Sequence, residues 1–299
     1  IIYYMTNIIY DRRYYLCEGY KAEISDKKII YYHQPKTGGT SVTNIFLSLF
    51  DKPYRILGTQ IKNDHTTSCH ENFMRNFEKI KNNEYDFIAG HIQFLDFFND
   101  RISITTIRDP VERAISHYNM LFERKLIDNN TKLEDCFSRG LIPKNPITQM
   151  FSCKDSNNTN LDTNNKNLAI NILKKINLIV SFEEIDSLIN YIISTYDFPN
   201  ILYQRLQQNK KNYFKERNMS VDEIIKYNQF DLEIFNLLKK QKLFFKFPKS
   251  NIPRSKPDYF IYSVDLKIND QNKLITQKSK FNTFVNFLEK HSFHIERVI

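Results

Sequence analysis

Three short stretches of this chain hold residues whose types and spacing suit chemistry on an anion. The first is Pro35-Lys36-Thr37-Gly38-Gly39-Thr40-Ser41. Adjacent glycines let a backbone approach a phosphate closely. Where such a turn opens a helix, the first N–H groups and the helix dipole favour negative charge. Lys36 adds a point charge, and Thr37, Thr40 and Ser41 add hydroxyl donors. The lysine precedes the glycines, whereas the GxxxxGK[ST] loop of nucleoside triphosphatases places it after them. The stretch therefore reads as a phosphate cradle of another kind, the plain alternative being an ordinary tight turn.

The second stretch runs Arg108-Asp109-Pro110-Val111-Glu112-Arg113-Ala114-Ile115-Ser116-His117-Tyr118. A guanidinium fork matches a terminal phosphate dianion. Ser116 stands two helical turns on and reaches the same ligand if that helix lies along it. The plain alternatives are a salt bridge from Arg108 to Asp109 or Glu112, and an ordinary helix position for Ser116. The third stretch is Gly90-His91-Ile92-Gln93-Phe94-Leu95-Asp96-Phe97. An imidazole titrating near neutral pH removes the proton from a hydroxyl nucleophile well; alternatively, His91 is a structural histidine bonded to backbone. His33 reads as structural, and His65, His70 and His117 carry no usable signal. Glu183 and Glu184 read as first-turn residues that complement a helix dipole.

The elements that must position these groups follow from hydrophobic pattern. Lys28 to His33 reads as a strand, Lys36 to Ser41 as a turn, and Val42 to Phe50 as a helix. Tyr85 to His91 and Ser103 to Ile107 read as further strands. Pro110 falls where a first-turn proline belongs, ahead of a helix from Val111 to Arg124. Leu178 to Ser181 reads as a fourth strand, with Glu183 and Glu184 opening a helix through Tyr196. Strands alternating with helices predict an α/β, P-loop-like three-layer fold with a central parallel sheet flanked by helices. His91, the loop and Arg108 all fall at strand C-terminal ends, where ligands of such sheets gather. Residues 155–167 read as an Asn-rich surface loop, and Val221 to Phe245 as mostly helical with a break near Asn228. The expected organisation is an N-terminal extension over 1–27, one domain over 28–251, and a C-terminal extension over 252–299, either a hairpin and terminal helix or a loosely attached tail.

Bulk properties set bounds. The 299 residues are 41% hydrophobic with a mean hydropathy of -0.51, enough for one sizeable core. A net charge of +9 suits an anionic partner without choosing among nucleotide, nucleic acid, membrane and acidic glycan. No run of 18 apolar residues is present, and the first 20 residues lack a signal-peptide layout. The first residue is Ile rather than Met, which leaves open a fragment with a membrane anchor outside it. Cys17, Cys69, Cys136 and Cys153 form no CxxC pair, so no zinc site is expected; two disulfides and four free thiols both remain open by count.

Taken together, the first two stretches resemble the nucleotide-binding signatures of sulfotransferases that use PAPS (3′-phosphoadenosine-5′-phosphosulfate). The resemblance implies that Lys36, Thr37, Gly38, Gly39, Thr40 and Ser41 hold the 5′-phosphosulfate, and that Arg108 and Ser116 hold the 3′-phosphate. The loop form PKTGGTS is similar to that of Golgi-type glycan sulfotransferases. The stretch Gly90 to Phe97 resembles the segment around the catalytic histidine of uronyl and heparan sulfate 2-O-sulfotransferases. Leu178 to Asp186, Asn228 to Phe235 and Phe247 to Asn251 resemble their downstream segments more loosely, so the likeness spans roughly residues 28–251. One position departs: where the family often has a second histidine, two residues before the catalytic one, this chain has Ala89.

What this implies is sulfuryl transfer from PAPS, with PAP (adenosine 3′,5′-bisphosphate) as product and no metal. His91 is then the base, and Lys36 the charge that stabilises the bridging oxygen. The implied acceptor is an acidic polysaccharide, through the 2-O position of a uronic acid, with no nucleic acid as partner. The implied compartment is the Golgi lumen for a eukaryotic chain and the cytosol for a bacterial one; in the lumen, Cys136 and Cys153 could pair. Two other readings stand beside this one: a P-loop nucleotide kinase, disfavoured by the position of Lys36, and a non-catalytic binder of acidic glycan or nucleic acid, which leaves the loop and Arg108 unexplained.

Overall fold

The computed structural model describes residues 13–16, 28–50, 53–56, 59–60, 66–67, 77–82, 85–94, 100–152, 160–196, 198, 201–203, 212–248, 259–264, 266–268 and 274–276. In chain order the strands are β1 (Arg13–Leu16), β2 (Lys28–Tyr32), β3 (Pro53–Ile56), β4 (Thr59–Gln60), β5 (Thr66–Thr67), β6 (Phe87–Gly90), β7 (Arg101–Ile107), β8 (Leu178–Ser181), β9 (Ile201–Tyr203), β10 (Tyr259–Val264), β11 (Leu266–Ile268) and β12 (Leu274–Thr276). The helices are α1 (Gly39–Leu49), α2 (Phe77–Lys81), α3 (Pro110–Glu123), α4 (Leu133–Ser138), α5 (Pro146–Ser152), α6 (Thr163–Leu173), α7 (Ile185–Thr195), α8 (Tyr213–Glu216), α9 (Asp222–Tyr227) and α10 (Gln229–Lys240).

The centre is a five-stranded sheet in the order β3-β6-β2-β7-β8, with every neighbouring pair parallel. Side chains alternate across it, as the pleat requires. Ile29, Tyr31, Phe87, Ala89, Leu178 and Val180 point to one face and pack with Val42, Ile45, Phe46 and Leu49 of α1 and with Ile185, Leu188, Ile189, Ile192 and Ile193 of α7. Ile30, Tyr32, Ile88 and Ile179 point to the other, against Ile147 and Phe151 of α5, Ala169 and Leu173 of α6, and Ile234 and Leu238 of α10. Both faces are covered, so these strands are near-continuously apolar rather than alternating polar and apolar. The result is the expected three-layer α/β architecture.

Several boundaries differ from the sequence reading. α1 begins at Gly39 rather than Val42, so the second glycine already belongs to the helix. α6 occupies residues read as loop, because Asp162 caps it by accepting the Asn165 N–H at 2.9 Å. The helical stretch near the C-terminus breaks at Asn228, as its pattern suggested, but ends at Lys240. Phe245 instead donates its N–H to the Ile179 carbonyl at 2.7 Å, running beside β8. α4, α5 and the edge strand β3 carried no recognised signal. β1 pairs antiparallel with β10, which pairs parallel with β9. β11 and β12 pair antiparallel; the terminal helix of the sequence reading lies outside the described residues.

A buried polar network ties α3 to the layer behind it. Asp231 accepts the N–H groups of Ile147 and Thr148, at 2.8 and 2.9 Å, and the Thr148 hydroxyl at 2.8 Å. Arg113, only 1% exposed, donates to the Pro143 carbonyl and to Asn228 Oδ1. These bonds hold the helix that carries Ser116 at a fixed height against α5 and α10.

Candidate active site

The loop, His91 and Arg108 come from three adjacent parallel strands, β2, β6 and β7, and all stand at the same C-terminal edge. Register brings this about. Tyr32 pairs with both Gly90 and Thr105, so the residues that follow each strand emerge side by side. The His33 N–H bonds the Gly90 carbonyl at 3.0 Å, and the Thr105 hydroxyl donates to the Tyr32 carbonyl at 2.9 Å.

The loop is tightly determined. Thr37, fully buried, donates its hydroxyl to the Gln34 carbonyl at 2.9 Å, and lies 3.4 Å from the Thr106 hydroxyl. The Tyr31 hydroxyl also bonds Thr106. Lys36 holds a φ of 67°, a left-handed conformation that costs a non-glycine residue about 1 kcal/mol or more and tends to persist at functional sites. Gly38 caps α1 with φ 73°, and a Cβ there would lie 2.4 Å from Ile185 Cδ1. At Gly39 a Cβ would lie 2.1 Å from His33 Cδ2 and 2.7 Å from the Tyr31 hydroxyl. Among the described residues no side chain caps α1, and no acidic residue occupies its first turn. A helix start of this kind is complemented by an anion. Thr40 is half-buried, and Ser41 is buried with its N–H on the Gly38 carbonyl.

His91 is exposed at the end of β6, with its Nδ1 2.5 Å from the His33 carbonyl oxygen. A carbonyl only accepts, so Nδ1 carries the proton and donates. In the neutral ring Nε2 is then the unprotonated nitrogen, the one that can take a proton from a hydroxyl. The ring of His33 lies against that of His91, centroids 4.4 Å apart. Ala89 is fully buried within the core on the α1 face.

Arg108 is mostly buried. Its guanidinium lies over the Phe182 ring at 4.4 Å and 3.5 Å from Glu112, an exposed carboxylate. Asp109 is not its partner: Asp109 caps α3 by accepting the N–H groups of Val111 and Glu112. Ser116 is half-buried on α3. Burial lowers the Lys36 ammonium from its ordinary range to about 8, with Arg124 and Arg108 adding repulsion and Glu123 opposing it. His117 is pushed down to about 3, by burial first and then by Arg113, Lys36, Arg124 and His91. It is therefore neutral, and its Nδ1 has no hydrogen-bond partner among the described residues. Arg113, His117 and Arg124, the C-cap, fall at i, i+4 and i+11 along one side of α3.

Comparison with known proteins gives the family. Residues 24–237 match the model of the Sulfotransferase family. This chain belongs to that family. It is 32% identical over 134 residues to the heparan sulfate 2-O-sulfotransferase of Caenorhabditis elegans, a stretch that covers 39% of this chain and 41% of the relative. It is 37% identical over 108 residues to heparan sulfate 2-O-sulfotransferase 1 of Homo sapiens, covering 33% and 30% of the two chains. The Xenopus laevis enzyme of that name is 36% identical over 118 residues, covering 35% and 33%. The matched stretches thus span less than half of these relatives.

In this sulfotransferase-family chain, two further histidines lie beside the groups singled out: His33, which the sequence reads as structural, and His117, which carries no usable signal there. A helical-wheel reading of α3 would have found His117, since it shares a side with Arg113 and Arg124. Nothing local marks His33, whose contact with His91 depends on strand register. Cys136 is a buried free thiol, raised to about 11 by burial first. Cys17, Cys69, Cys153, His65, His70 and Leu95 to Phe97 lie outside the described residues.

Proposed function

We propose that this chain transfers the sulfuryl group of PAPS to a hydroxyl of an acidic polysaccharide, through the 2-O position of a uronic acid. The observation that carries the reading is the tautomer of His91. Its Nδ1–H is committed to a backbone carbonyl, which leaves a basic Nε2 on the same sheet edge as the uncapped loop and Arg108. The glycines, lysine and hydroxyls fit a phosphosulfate, and the half-buried Arg108 fork with Ser116 fits a second phosphate dianion.

Lys36 and the backbone of Gly38 to Ser41 would hold the 5′ end, and Arg108 and Ser116 the 3′-phosphate. When bound, PAPS supplies an activated sulfuryl group on a phosphate leaving group. His91 Nε2 takes the acceptor hydroxyl's proton as the new sulfur–oxygen bond forms. Lys36 stabilises negative charge on the bridging oxygen as the old sulfur–oxygen bond breaks. Sulfuryl transfer, like phosphoryl transfer, relies chiefly on positioning and electrostatics, which this rigid edge provides.

The acceptor assignment draws on the relatives' names, on the net charge of +9, and on Arg124. This exposed guanidinium lies near Lys36, at the C-terminal end of α3. For a eukaryotic chain, the same reading puts the working compartment in the Golgi lumen. Among the described residues, no helix is long and apolar enough to cross a membrane.

The direct test is PAPS turnover against a panel of desulfated glycosaminoglycans, alongside calorimetric titration with PAP. Sulfation confined to uronic acid 2-O positions is expected. Absence of PAP binding by the folded chain would overturn the donor assignment, and sulfation only of hexosamines would overturn the acceptor assignment. Arg124→Ala is expected to raise the acceptor KM about threefold to fivefold, the worth of one exposed ion pair, with PAP affinity unchanged.

The donor site also predicts a pH dependence. An anion binds protonated Lys36 better than neutral Lys36, so affinity holds below the free-enzyme value of about 8 and declines above it. Between pH 7 and pH 9, PAP affinity is expected to fall about tenfold, the worth of one charge-assisted hydrogen bond. Calorimetry at the two pH values checks this, and in Lys36→Met the pH dependence should largely vanish.

A further inference from the structure

We propose that His33 is a positioning residue of this site, its imidazole holding the ring of His91 in one orientation and tying it to the glycine loop. The proposal rests on the sulfotransfer reading, in which His91 is the base. An exposed imidazole at a strand end ordinarily samples several rotamers. Here one residue restrains it twice: the His33 carbonyl takes the Nδ1–H at 2.5 Å, and the His33 ring packs on the His91 ring with centroids 4.4 Å apart and 36° between planes.

His33 is itself boxed in. It is 7% exposed, and Tyr31 stacks behind it at 5.8 Å and 17°. Tyr31 in turn bonds Thr106 of β7. The position of an absent Cβ at Gly39 lies 2.5 Å from His33 Nε2. The glycine therefore makes room for this ring as well as for an approaching anion. Tyr31, His33 and His91 form a line of three rings along the catalytic edge, with the loop's second glycine laid against the middle one. A shift of the loop is transmitted to the base through the His33 ring. A base held within tenths of an ångström of its working geometry is what in-line transfer requires.

The test uses the full chain and two variants. His33→Ala removes the ring and keeps the carbonyl; His33→Phe keeps a ring of similar shape without its nitrogens. His33→Ala is expected to lower kcat about tenfold to hundredfold, with PAP affinity and acceptor KM within about twofold of the parent, while His33→Phe stays within about threefold in kcat. A readout free of turnover accompanies this. NMR relaxation of the His91 ring C–H groups should report one ordered ring in the parent and a mobile ring in folded His33→Ala, with order restored in His33→Phe. The proposal is overturned if His33→Ala keeps the parent's kcat, if PAP affinity falls in step with kcat, if the Phe variant is as poor as the Ala variant, or if the His91 ring is as ordered in His33→Ala as in the parent. An inactive parent chain would instead defeat the sulfotransfer reading, and the ring-order measurement would still decide the role of His33.

Discussion

Replacement of His91 by alanine is expected to lower kcat by about three orders of magnitude while PAP affinity stays within about twofold. The size follows from the chemistry. An unassisted sugar hydroxyl is a poor nucleophile, and its proton must leave as the sulfur–oxygen bond forms. The direction of the split follows from the structure. His91 stands at the end of β6, outside the loop that would hold the nucleotide, and its Nδ1 donates to the backbone carbonyl of His33. Steady-state kinetics with calorimetry on the same preparation check both halves. Near-normal turnover in a variant that still binds PAP would remove His91 from the mechanism. His91→Asn should fare no better, since an amide nitrogen is not a base at neutral pH.

Gly39→Val should damage both the fold and the site. Its Cβ would fall 2.1 Å from His33 Cδ2, far inside contact distance, and His33 is hemmed in by Tyr31 and His91. The ring cannot yield without moving the base, so the backbone of the loop must move instead. Overpacking of this kind costs about 1–3 kcal/mol, readable as a lower midpoint in denaturant unfolding. Displacing the first-turn N–H groups should also cost at least about tenfold in PAP affinity. Gly140→Ala is the matched control. Gly140, unlike Gly39, has a positive φ, 69°, and a Cβ there meets nothing within 4 Å. That change should cost only about 1–2 kcal/mol of backbone strain and leave PAP affinity as it was. If Gly39→Val binds PAP as well as Gly140→Ala does, the loop is not the donor cradle.

Features of the site that are local in the chain were legible from its residues. A strand, a Gly-Gly turn and a helix in succession are specified within about 20 neighbouring residues, so β2, the loop and α1 stand nearly where the pattern put them. The same holds for Arg108 before Asp109 and Pro110, because the cap and the first-turn proline act over three or four residues. The five-stranded parallel sheet likewise follows from apolar strands alternating with helices. The misread stretches depended on partners far away or on a single cap. α5 begins where it does because Asp231, more than 80 residues on, takes the N–H groups of Ile147 and Thr148. α6 was hidden by an Asn-rich composition, and Asp162 overrides that composition.

The relation of one histidine to another lay beyond the sequence altogether. Local pattern put His91 at the end of a strand and made it a candidate base. Which of its nitrogens is basic, and what holds its ring, depend on Tyr32 pairing with Gly90 rather than with a residue one place along. A slip of one residue would turn every side chain of β6 to the opposite face and part His33 from His91. The chain by itself determined the residue types, the loop and the layers. The tertiary structure decided the register, and with it the proton position on His91 and the place of His33 beside it, because only packing of the two sheet faces selects one pairing over its neighbours.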